Sequence, residues 1–132
     1  MKRVLLVLLP VALLAGCATN QGLPPSPPPR PAAINHVVFF KLIDPTQADA
    51  LIAACDARLA TIPGVVSYYC GRPIDTGRDT VDADYDVGFY VGFASEADYA
   101  AYVAHPSHLE LVAQWRPRFE WLRVHDILDE TP

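Results

Sequence analysis

Tyr102, His105 and His108 stand in the pattern Tyr-x-x-His-Pro-x-His, and their types and spacing suit acid–base chemistry. Pro106 interrupts a helix between them, so a ring at the helix end and a histidine on the next turn can converge on one cavity. A histidine near its ordinary pKa of about 6.5 can take a proton from an acidic carbon, while a phenol donates to the developing enolate oxygen. The same residues also suit a structural role, with His105 capping helix carbonyls and Tyr102 and His108 packing below the break. A metal site would take His105 and His108 with His36 or an aspartate. Zinc wants three or four ligands with supporting partners, and these two histidines are the only cluster, so no metal is expected. Asp82-x-Asp84-x-Asp86 begins like a calcium loop, but Val87 replaces the turn glycine and Phe93 falls where the bidentate glutamate belongs. A solvated loop is expected there. The sequence carries no phosphate-cradling glycine loop, nucleophile elbow or dinucleotide fingerprint, and no cofactor is expected.

The elements that must position these groups occupy Ile34 to Asp129. His36 to Ile43 is a β-branched and aromatic run of strand length. Thr46 and Asp49 are spaced as a capping box for a helix with Leu51, Ile52, Cys55 and Leu59 on one face. Ile62-Pro63-Gly64 ends that helix, Val65 to Gly71 forms a second strand, and Arg72 to Asp82 is polar and rich in turn residues. Tyr85 to Phe93 alternates, with Val87, Phe89, Val91 and Phe93 on one side and Gly88, Tyr90 and Gly92 on the other. The two glycines on that side can open room for a ligand or let a facing layer approach. Ser95-Glu96-Ala97-Asp98 caps a second helix that breaks near His105-Pro106, a helical turn covers His108 to Trp115, and Phe119 to Leu128 is the last strand. The order β-α-β-β-α-β predicts an α+β fold, a ferredoxin-like split βαβ unit with a four-stranded antiparallel sheet and two helices on one face. Both faces of the first strand are apolar: Val38, Phe40 and Leu42 on one, Val37, Phe39 and Ile43 on the other. Helices cover only one of them, which predicts a homodimer packed sheet on sheet.

Cys55 falls on the buried face of the first helix and Cys70 on the strand that follows. They are placed to form a disulfide in an oxidising compartment, or to remain two buried thiols.

The 132 residues are 52% hydrophobic, with a formal net charge of −5. A surface this acidic excludes a nucleic-acid partner, whose phosphates require a basic face. Residues 1–16 read as a signal peptide, with Lys2 and Arg3 as a basic start and Val4 to Leu14 as an apolar run. That run is too short for a membrane-spanning helix, which needs about 20 residues. Leu14-Ala15-Gly16-Cys17 resembles the lipobox of bacterial lipoproteins, in which the cysteine becomes acylated. That resemblance implies a membrane anchor at Cys17. Ala18 is not the aspartate associated with inner-membrane retention, so the expected location is the cell envelope, at the outer membrane facing the periplasm. Residues 17–33 then form a tether with six prolines between Pro24 and Pro31, which favours a semi-rigid polyproline II stalk.

Asn35-His36-Val37-Val38-Phe39-Phe40-Lys41, Ile62-Pro63-Gly64-Val65, Phe93-Ala94-Ser95, Tyr102 to His108 and Val124-His125-Asp126 occur in that order. Together they resemble the stress-responsive A/B barrel (Dabb) family of dimeric α+β barrels across residues 34–129. The resemblance implies a dimer whose sheets face each other. It also implies, from a polyketide cyclase member, Tyr102 and His108 as catalytic groups with His36 as a third pocket residue, and His105 beside them as a ligand contact. Val87 departs from that member, which has a further pocket histidine there. Three functions follow as expectations: a membrane-anchored dimer holding a small apolar ligand, a structural or stress-associated envelope module without catalysis, and a cyclase-like acid–base enzyme.

Overall fold

A computed structural model describes residues 26–132. The expected signal peptide at 1–16, the acylated Cys17 and the first part of the tether, 17–25, lie outside the described residues. The chain forms β1 (Ile34–Leu42), α1 (Ala48–Arg58), β2 (Val65–Gly71), β3 (Val87–Phe93), α2 (Glu96–Ala104), α3 (Pro106–Trp115) and β4 (Phe119–Leu128). The four strands make one antiparallel sheet in the order β2-β3-β1-β4. This is the ferredoxin-like α+β arrangement, with the helices on one face of the sheet.

Strand periodicity sorts the side chains. Val38, Phe40 and Leu42 of β1 lie against Val87, Phe89, Val91 and Phe93 of β3, and these residues are buried beneath Ala48, Leu51 and Cys55 of α1 and Tyr102 of α2. Leu111 and Trp115 of α3 complete this core. The helix layer does not reach fully over β4, an edge strand on which Leu122 and Val124 stay exposed although they pair with the buried Phe40 and Val38. Uncovered β4 and the flank of α3 therefore leave an opening into the core.

Three local details differ from the sequence expectations. The turn before α1 is capped by Asp44, whose carboxylate accepts from the Thr46 backbone N–H, and not by a Thr46–Asp49 box. A short 3-10 turn over Pro45–Gln47 intervenes before the helix. Beyond the break, α3 runs ten residues from Pro106, because proline is well tolerated in a helix's first turn, where its missing N–H has no partner to lose. The capping box of α2 forms as its sequence predicts: Ser95 Oγ accepts from the Asp98 N–H and donates to the Asp98 carboxylate.

On the other sheet face, Gly92 lets three atoms crowd into the space a Cβ would fill, namely Ser67 Oγ, Ala32 Cβ and Tyr90 Oη, all within 2.6 Å of it. Tyr90 there donates to Asn35 Oδ1 at 2.8 Å, and Asn35 Nδ2 donates to the carbonyls of Ala32 and Ile127. This glycine makes room for a polar junction between β3 and the segment entering β1, and leaves none for a ligand. Above it the face carries Val37, Phe39, Tyr69, Tyr90 and Trp121 with no helix over them.

Candidate functional site

The opening beside β4 leads into a cavity of about 310 Å³ between the sheet and the α2–α3 pair. Val38, Phe40, Phe89, Leu111, Val112 and Phe119 make its apolar walls, and exposed Val103, Leu122 and Val124 make its rim. Its polar groups are His36, Tyr99, Tyr102, His108 and Arg116.

The break at Pro106 does bring Tyr102 and His108 together, with ring centroids 4.9 Å apart, and Tyr102 lies 6.2 Å from the His36 ring. His105 is not part of this group. Its Nδ1 accepts from the Ser107 backbone N–H and caps α3, so the expected ligand contact is a helix cap at the first turn of α3.

Each pocket histidine is held by one ring nitrogen. His108 Nδ1 donates to the Val103 carbonyl at 3.0 Å. A carbonyl only accepts, so the proton of a neutral His108 is on Nδ1 and its lone pair is on Nε2. Burial pulls the His108 pKa below its ordinary value, partly offset by that hydrogen bond, so the uncharged imidazole is the favoured form. His36 Nδ1 donates to Asp126 Oδ1 at 2.6 Å. This contact depends on register: His36 and Asp126 are directly paired across β1 and β4 and share the helix-facing side. Tyr99 from α2 donates to the other Asp126 oxygen at 2.8 Å and lies 3.3 Å from His36 Nδ1. Burial and the Asp126 carboxylate push the Tyr99 phenol up to about 12. Its hydroxyl hydrogen is committed to Asp126, which makes Tyr99 a support for the pair.

Tyr102 is 1% exposed, and its hydroxyl has no hydrogen-bond partner among the described residues. Burial raises its pKa well above that of a free phenol, so it stays a neutral O–H donor. Val87 is fully buried beside its cross-strand partner Phe40 and does not line the cavity.

Cys55 and Cys70 are free thiols, and the disulfide that their positions allowed is not formed. They face each other between α1 and β2. The neighbouring Cys70 and burial hold the Cys55 thiol protonated, while Cys55 draws the Cys70 thiol downward against the opposing effect of burial. Among the described residues no three His, Cys, Asp or Glu side chains gather as a metal site would require.

The stress responsive A/B barrel domain matches residues 34–129. This chain belongs to the Dabb family. A Dabb protein with a ferredoxin-like fold from Mesorhizobium loti superposes with a TM-score of 0.62 at 27% identity, covering 74% of this chain and 97% of that one. Hydroxynitrile lyase from Passiflora edulis superposes with a TM-score of 0.64 at 22% identity, covering 78% and 99%. A dimeric ferredoxin-like protein from Thermobifida fusca gives 0.61 at 22% identity, covering 73% and 90%. No curated protein matches the sequence. At these identities the lyase and the Thermobifida protein speak to the fold alone, and the cavity residues of this Dabb domain have to be judged on their own geometry.

Proposed function

We propose that this Dabb domain binds a small apolar carbonyl compound in the cavity and moves a proton at the carbon next to the carbonyl. The observation that carries this reading is the pair of histidines anchored through Nδ1, which leaves both Nε2 atoms free beside an unpartnered phenol in an apolar enclosure. One Nε2 lone pair takes the proton as the C–H bond breaks. The bonding electrons move onto the carbonyl oxygen, and the Tyr102 O–H donates to the enolate that forms. Returning a proton from the imidazolium to carbon or oxygen closes the step without redox change. Asp126 holds the His36 ring in orientation through Nδ1, as a carboxylate behind a histidine does in other acid–base sites.

The test uses 2-decanone in D₂O, with deuterium uptake at the carbons flanking the carbonyl followed by NMR. The full chain should accelerate uptake, and Tyr102→Phe and His108→Gln should each reduce the rate by about 10²–10⁴-fold with little change in melting. Lower melting with undiminished exchange, or no exchange by the wild type, would leave both residues as packing.

We also propose that the mature chain begins at an acylated Cys17 and that residues 17–33 hold the domain off the outer-membrane surface, in the periplasm. The support is the sequence of residues 1–17, with its basic start, short apolar run and Leu-Ala-Gly-Cys end. Palmitate label should enter the wild type in a lipoprotein-processing bacterial host and not Cys17→Ala, and equal labelling would refute the anchor.

A further inference from the structure

The cavity is not uniform along its length. Its histidines and Tyr102 lie at one end, where α2 gives way to α3. From α3 the lining residues follow in sequence as His108, Leu111 and Val112, and Arg116, the C-cap just past the helix end, continues the stripe. His108 and Arg116 are eight residues apart, which places them roughly 12 Å apart along the axis at 1.5 Å per residue. The sheet repeats the gradient. His36, Val38 and Phe40 of β1, with Val124 and Leu122 of β4, lead from the histidine end towards Phe119, whose ring is 5.0 Å from that of Phe40. Arg116 adjoins this far end, bordering Phe119, Trp121 and Leu122.

Among the described residues, Arg116 is the only Lys or Arg that lines the cavity. The other arginines around it are engaged: Arg118 lies over the Trp115 ring and donates to Gln47, Arg123 lies over Trp121 near Asp82, and Arg58 donates to Gln114. The Arg116 guanidinium has no salt bridge and no side-chain hydrogen bond among the described residues. A chain with a net charge of −5 thus keeps an uncommitted cation at one end of an apolar trough whose other end carries the proton-moving groups.

We propose that the ligand is a medium-chain oxo-carboxylate, with its carboxylate on Arg116, its alkyl chain along the trough and its carbonyl among His36, Tyr102 and His108. A planar guanidinium suits a carboxylate because two parallel N–H donors match two oxygens. With roughly 12 Å of helix axis between His108 and Arg116, a ligand of about eight to ten carbons is of the length to reach from one end to the other. The inference rests on the cavity being the ligand site proposed above and adds the class of ligand and the residue that selects it. The competing role for Arg116 is simpler: a cation at the C-terminal end of α3 also compensates the helix dipole. That role predicts a stability effect and no ligand selectivity.

The experiment compares 9-oxodecanoate with 2-decanone, which share the methyl ketone and chain length and differ in the carboxylate. Calorimetric titration of the full chain should give at least about tenfold tighter binding of 9-oxodecanoate. Arg116→Gln should remove that preference, Arg116→Lys should retain part of it, and added salt should erode it in the wild type and Arg116→Lys but have none to erode in Arg116→Gln. Equal binding of the two compounds, no binding of 9-oxodecanoate, or a preference that survives Arg116→Gln each overturns the proposal. Deuterium uptake by both compounds separates the two readings. Arg116-dependent binding without exchange refutes the proton-transfer function and leaves the ligand class standing. Exchange of 2-decanone with no gain from the carboxylate does the reverse.

Discussion

His108 carries a charge-state preference that is measurable without knowing any substrate. Its pKa is drawn down in the folded protein by burial, so the unfolded chain binds a proton at this residue at a higher pH than the folded one does. The stabilisation from the neutral, buried imidazole is therefore complete above the ordinary value of 6.5 and is lost as pH falls from there through the lowered folded value. Urea unfolding of the wild type and His108→Gln at pH 5 to 8 should show the wild type losing stability faster on the acid side, with the two slopes alike above pH 7. Parallel slopes throughout would mean that the imidazole is solvated in the folded state. The spacing of Tyr102 and His108 around Pro106 made this pair visible in the sequence, because both groups sit within one helix break. Asp126, Tyr99 and Arg116 were not visible in the same way. Asp126 meets His36 from 90 positions away, and only the β1–β4 register sets them on the same side. Tyr99 and Arg116 join the cavity through helix faces whose rotation the sequence pattern does not specify to one residue.

Strands were more legible than their covers. Alternation along β3 and the apolar run of β1 mark both segments and both faces, and β2 and β4 run between the residues their sequences indicate. The α3 helix begins earlier than its sequence suggests because Pro106 reads as a stop for α2 while also serving as a start, with His105 as the cap between them. The glycines of β3 had two possible uses, and the structure separates them. At Gly92 the space is already filled by Ser67, Ala32 and Tyr90, so the residue serves the junction between β3 and the incoming chain. Gly92→Ala forces those atoms apart and disturbs the Tyr90–Asn35 hydrogen bond. It should cost about 1–3 kcal/mol, in the range for overpacking a filled site. Denaturant unfolding measures this directly, and a loss under about 0.5 kcal/mol would show that the entering segment simply lifts away. The cavity lies on the opposite face, so the binding of 2-decanone should survive the change.

At the scale of the molecule, the sheet has one face under three helices and one face bare. The bare face presents Val37, Phe39, Tyr69 and Trp121, with Tyr69 stacked at 4.8 Å on the buried Tyr90 and still 62% exposed. Helix burial accounts for the first face; on the second, Ala32 meets Gly92 and Tyr85 packs on Phe39, and no helix covers it. A second copy of the chain, packed sheet against sheet, would remove this aromatic surface from water in a symmetric contact in which each residue meets the same patch on its partner. Such a contact would leave the cavity mouth open, because the mouth lies on the helix side beside β4. Sedimentation velocity of the full chain in density-matched detergent should give a dimer at micromolar concentration. Tyr69→Glu should give a monomer with unchanged far-UV circular dichroism, since the side chain is mostly exposed within the protomer and a charge there is penalised only on association. A monomeric wild type, or a dimer indifferent to Tyr69→Glu, would place the contact elsewhere. Aromatic residues on a bare sheet contribute most when desolvated at the centre of an interface, so the loss on Tyr69→Glu should exceed about tenfold in the dimer dissociation constant.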